Sequence, residues 1–237
     1  METRVIPLGD SALILELAET VGALPPHRVH EVVAWLQSPA LPGVMEVVPA
    51  ATTITLFYDP LALLKHGAPA DDLTGWLGGE ALERLAGLPK ESSAPSSRVV
   101  EIPVCYGGEH GPDLEEVARR TGLSVIDVVT RHSAAEYLVL QLGFAPGFPY
   151  LHGLPDSLSL PRRAAPRLSV AAGSIAIANG QSCIYPQAIP GGWHVIGRTP
   201  LKLFRPDHEP PVLLQPGDRV KFRAIPAKEF EAREELP

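Results

Sequence analysis

Cysteine is scarce: Cys105 and Cys183 are the only two among 237 residues. Two distant thiols, each flanked by strand-forming residues, argue against a disulfide-stapled secreted framework. They fit small buried thiols in a reducing cytoplasm, with a reactive Cys183 paired to a histidine as the alternative. No apolar run approaches the roughly 18 residues a spanning helix needs. The N-terminal METRVIPLGD has no basic region leading into an apolar core, so no secretory signal is expected. Nucleotide motifs are missing as well. Without a Gly-Lys dipeptide there is no Walker A phosphate loop, and without Gly-x-Gly-x-x-Gly no dinucleotide fold is indicated. The 8 histidines show no metal-binding spacing and no HExxH, so no metal site is expected.

Acidic residues are missing from one long stretch. The chain as a whole carries a formal charge of −7 with a pI near 5.6, which argues against general nucleic-acid binding. Yet from Ser157 to Pro206 there is no Asp or Glu, while the same segment holds Arg162, Arg163, Arg167, Arg198, Lys202 and Arg205. Arginine's planar fork binds carboxylate or phosphate through paired hydrogen bonds. If these side chains converge, the site takes an anionic ligand. Otherwise they are solvated, or paired with acids from elsewhere in the chain.

Proline is abundant: 26 residues, about twice the usual share of roughly 5%. An apolar content of 45% and a charged content of 20% still indicate a folded core, so the prolines imply fixed turns and short elements. Val5–Leu17 reads as a strand pair pivoting on Gly9-Asp10, and Pro26–Gln37 as a helix. Val44–Val48 and Thr52–Tyr58 read as strands, and Pro69–Leu85 as a second helix. A last strand would complete a split β-α-β unit of the ferredoxin-like kind. The polar, proline-broken GLPKESSAPSS places a domain boundary, giving domains 1–88 and 98–237 joined by a linker at 89–97. Beyond it Arg98–Tyr106 reads as a strand and Asp113–Arg120 as a helix with Gly122 past its end. Ser124–His132 reads as a helix with a Ser124/Asp127 capping box, and Glu136–Leu142 as a strand. Ser174–Ala178, Leu201–Phe204, Val212–Leu214 and Arg219–Ile225 follow as short strands of a barrel or compact β domain.

Residues 143 to 200 hold eight glycines and eight prolines around a set of aromatic residues. In GFAPGFPY (143–150) and PGGW (190–193), glycine permits close backbone approach and proline stiffens the loop. Phe144 and Trp193 read as core, whereas Phe148 and Tyr150 divide evenly between core and ligand contact. Among the histidines, His132 is the candidate acid/base, because it precedes this loop closely in sequence.

Six runs together, GFAPGFPYL (143–151), PRRAAPR (161–167), GSIAI (173–177), QSCIYP (181–186), PGGWHVIGRTP (190–200) and LLQPGDRVKF (213–222), resemble the carboxyltransferase subdomain A and KipI family. PLGDSALILEL (7–17), GPDLEEVARRTGL (111–123) and HSAAEYLVLQLGF (132–144) resemble it too. The resemblance implies an α+β ferredoxin-like N-terminal domain followed by a cyclophilin-like β-barrel. It also implies a separate homologous subdomain B chain as partner. Members include subunits of ATP-dependent 5-oxoprolinase, which opens 5-oxo-L-proline to L-glutamate. In that setting ATP would be a co-substrate shared with the partner subunits, 5-oxoprolinase subunits C and A. His132, Arg167 and Arg198 would then be catalytic. Phe148, Tyr150, Arg162, Arg163, Gln181, Tyr185 and Trp193 would bind a small anionic substrate. Two other expectations come with the family: KipI-like inhibition of a sensor histidine kinase, and a carboxyltransferase role in urea degradation. None of the 5 lysines follows a methionine, so in the latter case biotin would come from another chain.

Overall fold

The computed structural model describes residues 3–20, 24–25, 27–89 and 98–234, and the chain divides into two compact units, Met1–Ser96 and Ser97–Pro237. Most of the expected linker lies outside the described residues.

In the first unit, strands β1 (Arg4–Pro7), β2 (Ala12–Glu16), β3 (Val44–Pro49) and β4 (Thr53–Tyr58) form one antiparallel sheet in the order β1-β2-β4-β3. Helix α1 (Arg28–Gln37) connects β2 to β3, and β4 lies between those two strands, so the three form a split β-α-β unit. The strand expected after the second helix is not found in this sheet among the described residues. The place beside β2 belongs to β1, which precedes it in sequence. Alternation sets the buried face: Leu13 and Leu15 of β2 and Ile54, Leu56 and Tyr58 of β4 pack against Val29, Val32 and Leu36 of α1. The expected helix over Pro69–Leu85 begins later, as α3 (Leu73–Ala86), because the Asp72 carboxylate accepts the Gly75 amide at 2.8 Å and starts it there. A short helix, α2 (Pro60–Lys65), was not expected. Asp59 caps it by accepting the Leu61 amide, with Pro60 in its first turn.

The second unit is built on a closed seven-strand barrel. Its strands are β5 (Val99–Tyr106), β6 (Glu136–Leu142), β7 (Pro149–His152), β9 (Ser174–Ala178), β10 (Gln181–Ile184), β12 (His194–Arg198) and β13 (Arg219–Ala224). They close in the order β10-β7-β6-β13-β5-β12-β9. All pairs are antiparallel except β13 with β5. Strands β8 (Arg167–Val170) and β11 (Ile189–Gly191) form a separate two-stranded ribbon. Period-two alternation divides the side chains between two clusters. Ile175 and Ile177 point into the barrel with Ile102, Val104, Val139, Leu151, Ile184, Ile196, Val220 and Phe222. Ala176 and Ala178 point outward, to a second cluster with Phe148, Val170, Cys183, Tyr185, Trp193 and Val195. The expected strands at Leu201–Phe204 and Val212–Leu214 are loop, joined by a single bridge between Phe204 and Val212.

Helices α4 (Leu114–Thr121) and α5 (Val125–Ala134) lie where the caps indicated. Gly122 ends α4 in the left-handed region, and Ser124 and Asp127 form a reciprocal capping box. A last helix, α6 (Ala227–Glu234), was not expected; Phe230 anchors it beside Cys105 and Ile225. Among the described residues no helix is long and apolar enough to cross a membrane.

The turn that delivers the chain to α4 depends on Gly111. A Cβ there would lie 2.1 Å from the Ile196 carbonyl oxygen on β12. Gly111→Ala is therefore expected to lose about 2 kcal/mol by overpacking. Gly79→Ala, on a helix position with open space around it, should be neutral or stabilising. Urea denaturation of the two variants checks the contrast, and equal midpoints would refute it.

Candidate anion-binding face of the barrel

Asp113 organises the arginines nearest the 143–167 loop region. It stands at the N-terminus of α4, yet its side chain makes no helix cap. Instead its carboxylate accepts from Arg163 Nη1 at 2.6 Å, from Arg167 Nη1 and Nη2 at 2.7 and 2.8 Å, and from the Val195 amide at 2.7 Å. Asp113 is 3% exposed. Burial pushes its carboxyl up, but the Arg167 hydrogen bonds, the Val195 amide and the two positive charges outweigh that and hold it below the ordinary value. The network ties β8 and the 161–166 loop to α4 and β12. The loop is fastened further where the Arg163 amide donates to Gly192 O at 2.8 Å and where His194 Nε2 meets Pro161 O at 3.0 Å. Arg163 and Arg167 are thus paired with an acid from elsewhere in the chain, and sequence reading did not single out Asp113.

The aromatic residues divide into those that pack and those that face outward. Phe148, Tyr185 and Trp193, expected to bind substrate, are buried in the outer cluster. Phe148 packs edge-on against Tyr185, and the Tyr185 hydroxyl fits beneath Gly191, where any Cβ would clash with it. These three support the surface; they do not present their faces to a ligand. Tyr150 is half-buried beside Trp193, with ring centres 6.1 Å apart, and the Arg162 guanidinium lies 5.9 Å from the Trp193 ring. Gln181 shares the outward side of β10 with Cys183, two register positions along from the Cys183–Tyr150 pair. Phe144 is 67% exposed and has a φ of 68°, a conformation unusual for a bulky residue. Cys183 is fully buried, and burial pushes its thiol well up, which removes the reactive-thiol alternative.

Arg198, at the end of β12, lines two cavities. The first, about 340 Å³, also has Arg167, His110, Ser169, Ser174 and the acids Glu109 and Glu231 in its wall. The second, about 400 Å³, has Arg198, Lys202, Arg205 and Arg233 and, among the described residues, no acid in its wall. Arg198 Nε donates to Ala172 O at 2.8 Å, and its guanidinium lies 5.5 Å from the Phe230 ring of α6. Lys202 and Arg205 belong to the acid-free segment but were not among the expected site residues. Among the described residues no cluster of His, Cys, Asp and Glu could hold a metal ion.

His132 is not on this face. Its ring lies inside the barrel, 0% exposed and stacked on Phe222 at 4.6 Å. Nδ1 pairs with the Tyr106 hydroxyl at 2.8 Å and Nε2 with Ser182 Oγ at 3.2 Å; the Ser182 hydroxyl donates to Ala176 O. One consistent assignment has Tyr106 donating to Nδ1 and the Nε2 proton directed at Ser182. Burial pushes His132 down to about 3, so it is neutral at physiological pH. A sealed, neutral imidazole with both nitrogens engaged in the core cannot exchange protons with a ligand outside. The expected acid/base role is corrected to a structural one.

The chain is of the carboxyltransferase-domain class. Residues 3–214 match the family described as "Carboxyltransferase domain, subdomain C and D", and the chain belongs to that family. It is 43% identical to the 5-oxoprolinase B subunit of Bacillus subtilis (strain 168), over 98% of this chain and 97% of that one. It is 44% identical to the 5-oxoprolinase B subunit of Escherichia coli O157:H7, over 95% and 97%. The crystal structure of TTHA0988 is similar with a TM-score of 0.74 and 38% identity; the match covers 90% of this chain but only 40% of that longer one.

Proposed function

We propose that this chain is the B subunit of an ATP-dependent 5-oxoprolinase, opening 5-oxo-L-proline to L-glutamate together with subunits A and C. The observation that carries the reading is similarity over nearly the full length to two proteins named as the B subunit of 5-oxoprolinase. The match to less than half of the TTHA0988 chain, which carries further sequence beside the matched part, is in keeping with a partner for this chain. On this reading the N-terminal unit (1–88) is a ferredoxin-like domain with one edge strand moved to the N-terminus, and 98–237 is a cyclophilin-like barrel. The complex works in the cytoplasm, in keeping with two free, buried cysteines.

The amide of 5-oxoproline is a poor electrophile. ATP activates it by phosphorylating the amide oxygen, and water then opens the ring. Both the substrate carboxylate and the transferred phosphoryl group bring negative charge to the site. Preorganised guanidinium groups stabilise such charge where it develops, and removal of one donor typically costs 10²–10³-fold in rate. Arg198, between the two cavities, is the residue assigned that role. Arg162, Tyr150 and Gln181 are assigned to substrate orientation, and Arg163 and Arg167 to fixing the wall through Asp113. ATP is the co-substrate on this reading, bound by the complex of this chain and its partner subunits.

Co-expression with subunits A and C and measurement of 5-oxoproline-dependent ATP hydrolysis tests the reading. Activity should need all three chains, and Arg198→Ala should lower kcat by about 10²-fold. A full set of partners without activity overturns the proposal.

A further inference from the structure

The two cavities flanking Arg198 differ in charge. The first mixes Arg167 and His110 with Glu109 and Glu231. The second has Arg198, Lys202, Arg205 and Arg233 in its wall and no carboxylate among the described residues, with Arg233 itself paired to Glu229. We propose that this second cleft, at Arg198, Lys202 and Arg205, is a binding site for the phosphates of a nucleotide-class ligand. This cleft is built from the chain's own residues alone and is independent of the oxoprolinase reaction.

Three observations lead there. First, neither Lys202 nor Arg205 makes an ion pair with any described residue, so their charges are uncompensated, unlike those of Arg163 and Arg167. Second, Arg205 is built into place rather than trailing in solvent. Its amide donates to Pro211 O at 2.7 Å and its carbonyl accepts from the His208 amide, beside the Phe204–Val212 bridge. Its Nε is nevertheless buried and has no acceptor among the described residues. A buried donor left unpaired is costly, and an oxyanion in the cleft would satisfy it. Third, the floor is rigid: Thr199 donates its amide to Gly173 O at 2.9 Å, and Gly173, at φ 80°, approaches Thr199 so closely that a Cβ would lie 2.3 Å from its carbonyl oxygen.

Charge and shape select the class. A single carboxylate carries one negative charge, which one bidentate guanidinium can match. Phosphate carries close to two negative charges and three acceptor oxygens, and suits guanidinium forks combined with a lysine point charge. Pro186, Pro200, Leu201 and Leu213 line the rest of the cleft and offer an apolar wall to the body of the ligand. The volume of about 400 Å³ lies within the range of roughly 300–1,000 Å³ common for small-molecule sites.

Calorimetric titration of the full chain alone with ATP, pyrophosphate, orthophosphate and L-glutamate tests the site. ATP or pyrophosphate should bind, L-glutamate should not compete, and the Lys202→Gln/Arg205→Gln double variant should bind at least about tenfold more weakly. Tighter binding of ATP than pyrophosphate identifies a nucleotide; equal binding identifies the phosphates alone, and either result supports the site. Neither side chain holds an internal ion pair, so the double variant should melt with the wild type. The proposal is overturned if the wild-type chain binds none of the phosphates, if L-glutamate displaces them, or if the double variant keeps its affinity to within about twofold. Loss of oxoprolinase activity alone, with phosphate binding intact, would leave this site standing and count against the proposed reaction.

Discussion

Asp113→Ala should lower the stability of the barrel unit by about 3 kcal/mol, the low end of the range for breaking a buried ion pair, and depress Tm by roughly 10 °C. Three donors would lose their acceptor at once: the Arg163 and Arg167 guanidiniums and the Val195 amide. The two arginines are 29% and 27% exposed, so water partly rehydrates them, which places the expected loss at the lower end. Asp113→Asn separates the contributions. It can still accept from Val195 and should recover about 1 kcal/mol, while the two positive charges stay uncompensated. Differential scanning calorimetry reads both effects. If Asp113→Ala melts within about 2 °C of the wild type, the carboxylate is not what holds β8 and the 161–166 loop to α4.

The same carboxylate shows what a sequence can and cannot reveal. The absence of acids from Ser157 to Pro206 was legible, and it implied either an anion site or a distant acid partner. The structure pairs some of these cations and leaves others without an ion pair among the described residues. Arg163 and Arg167 find Asp113, 50 and 54 residues upstream. Lys202 and Arg205, late in the stretch, find none among the described residues. Nothing local distinguishes these cases, because the pairing is set by where the barrel closes. Elements with strong local signals were readable: the Ser124/Asp127 box of α5, the alternation of β4, the left-handed Gly122. Strands β8 and β11, three to four residues long, carry too few residues for a period to register. Helix α6 has Phe230 as its only large apolar anchor, and α2 has a single buried residue, so neither presents an amphipathic stripe.

The cationic face therefore has two halves with different tasks. Around Asp113 the charges are neutralised and the result is rigidity: the ribbon is held, and the aromatic cluster under it stays packed. Lys202 and Arg205 hold no ion pair among the described residues, which leaves their charges to the proposed ligand. Arg198, lining both cavities, is where a held wall meets an open one. A preorganised wall beside uncompensated cations is the arrangement electrostatic stabilisation requires, since donors fixed beforehand need no reorganisation when charge develops.

His132→Asn should flatten the acid limb of the barrel's stability profile. In the unfolded chain a histidine takes up its proton near pH 6.5; inside the barrel His132 stays neutral down to about 3. Between those values the unfolded state binds more protons, so the wild-type barrel is favoured above pH 6.5 and weakened as pH falls. The loss is about 1.4 kcal/mol per unit, or roughly 4–5 kcal/mol over the whole window. Asp113 acts in the same direction but later. Its carboxyl is held below the ordinary 3.8, so its contribution is present above that value and is lost only at lower pH. Urea unfolding at a series of pH values separates the two. The asparagine variant starts less stable, because the stacking on Phe222 and one link of the Tyr106–His132–Ser182 chain are lost. From pH 6.5 to 4 its stability should fall by less than the wild type's, and the two curves should converge. Parallel curves across that range would mean that His132 is protonated in the folded barrel, and that its ring is not sealed from water.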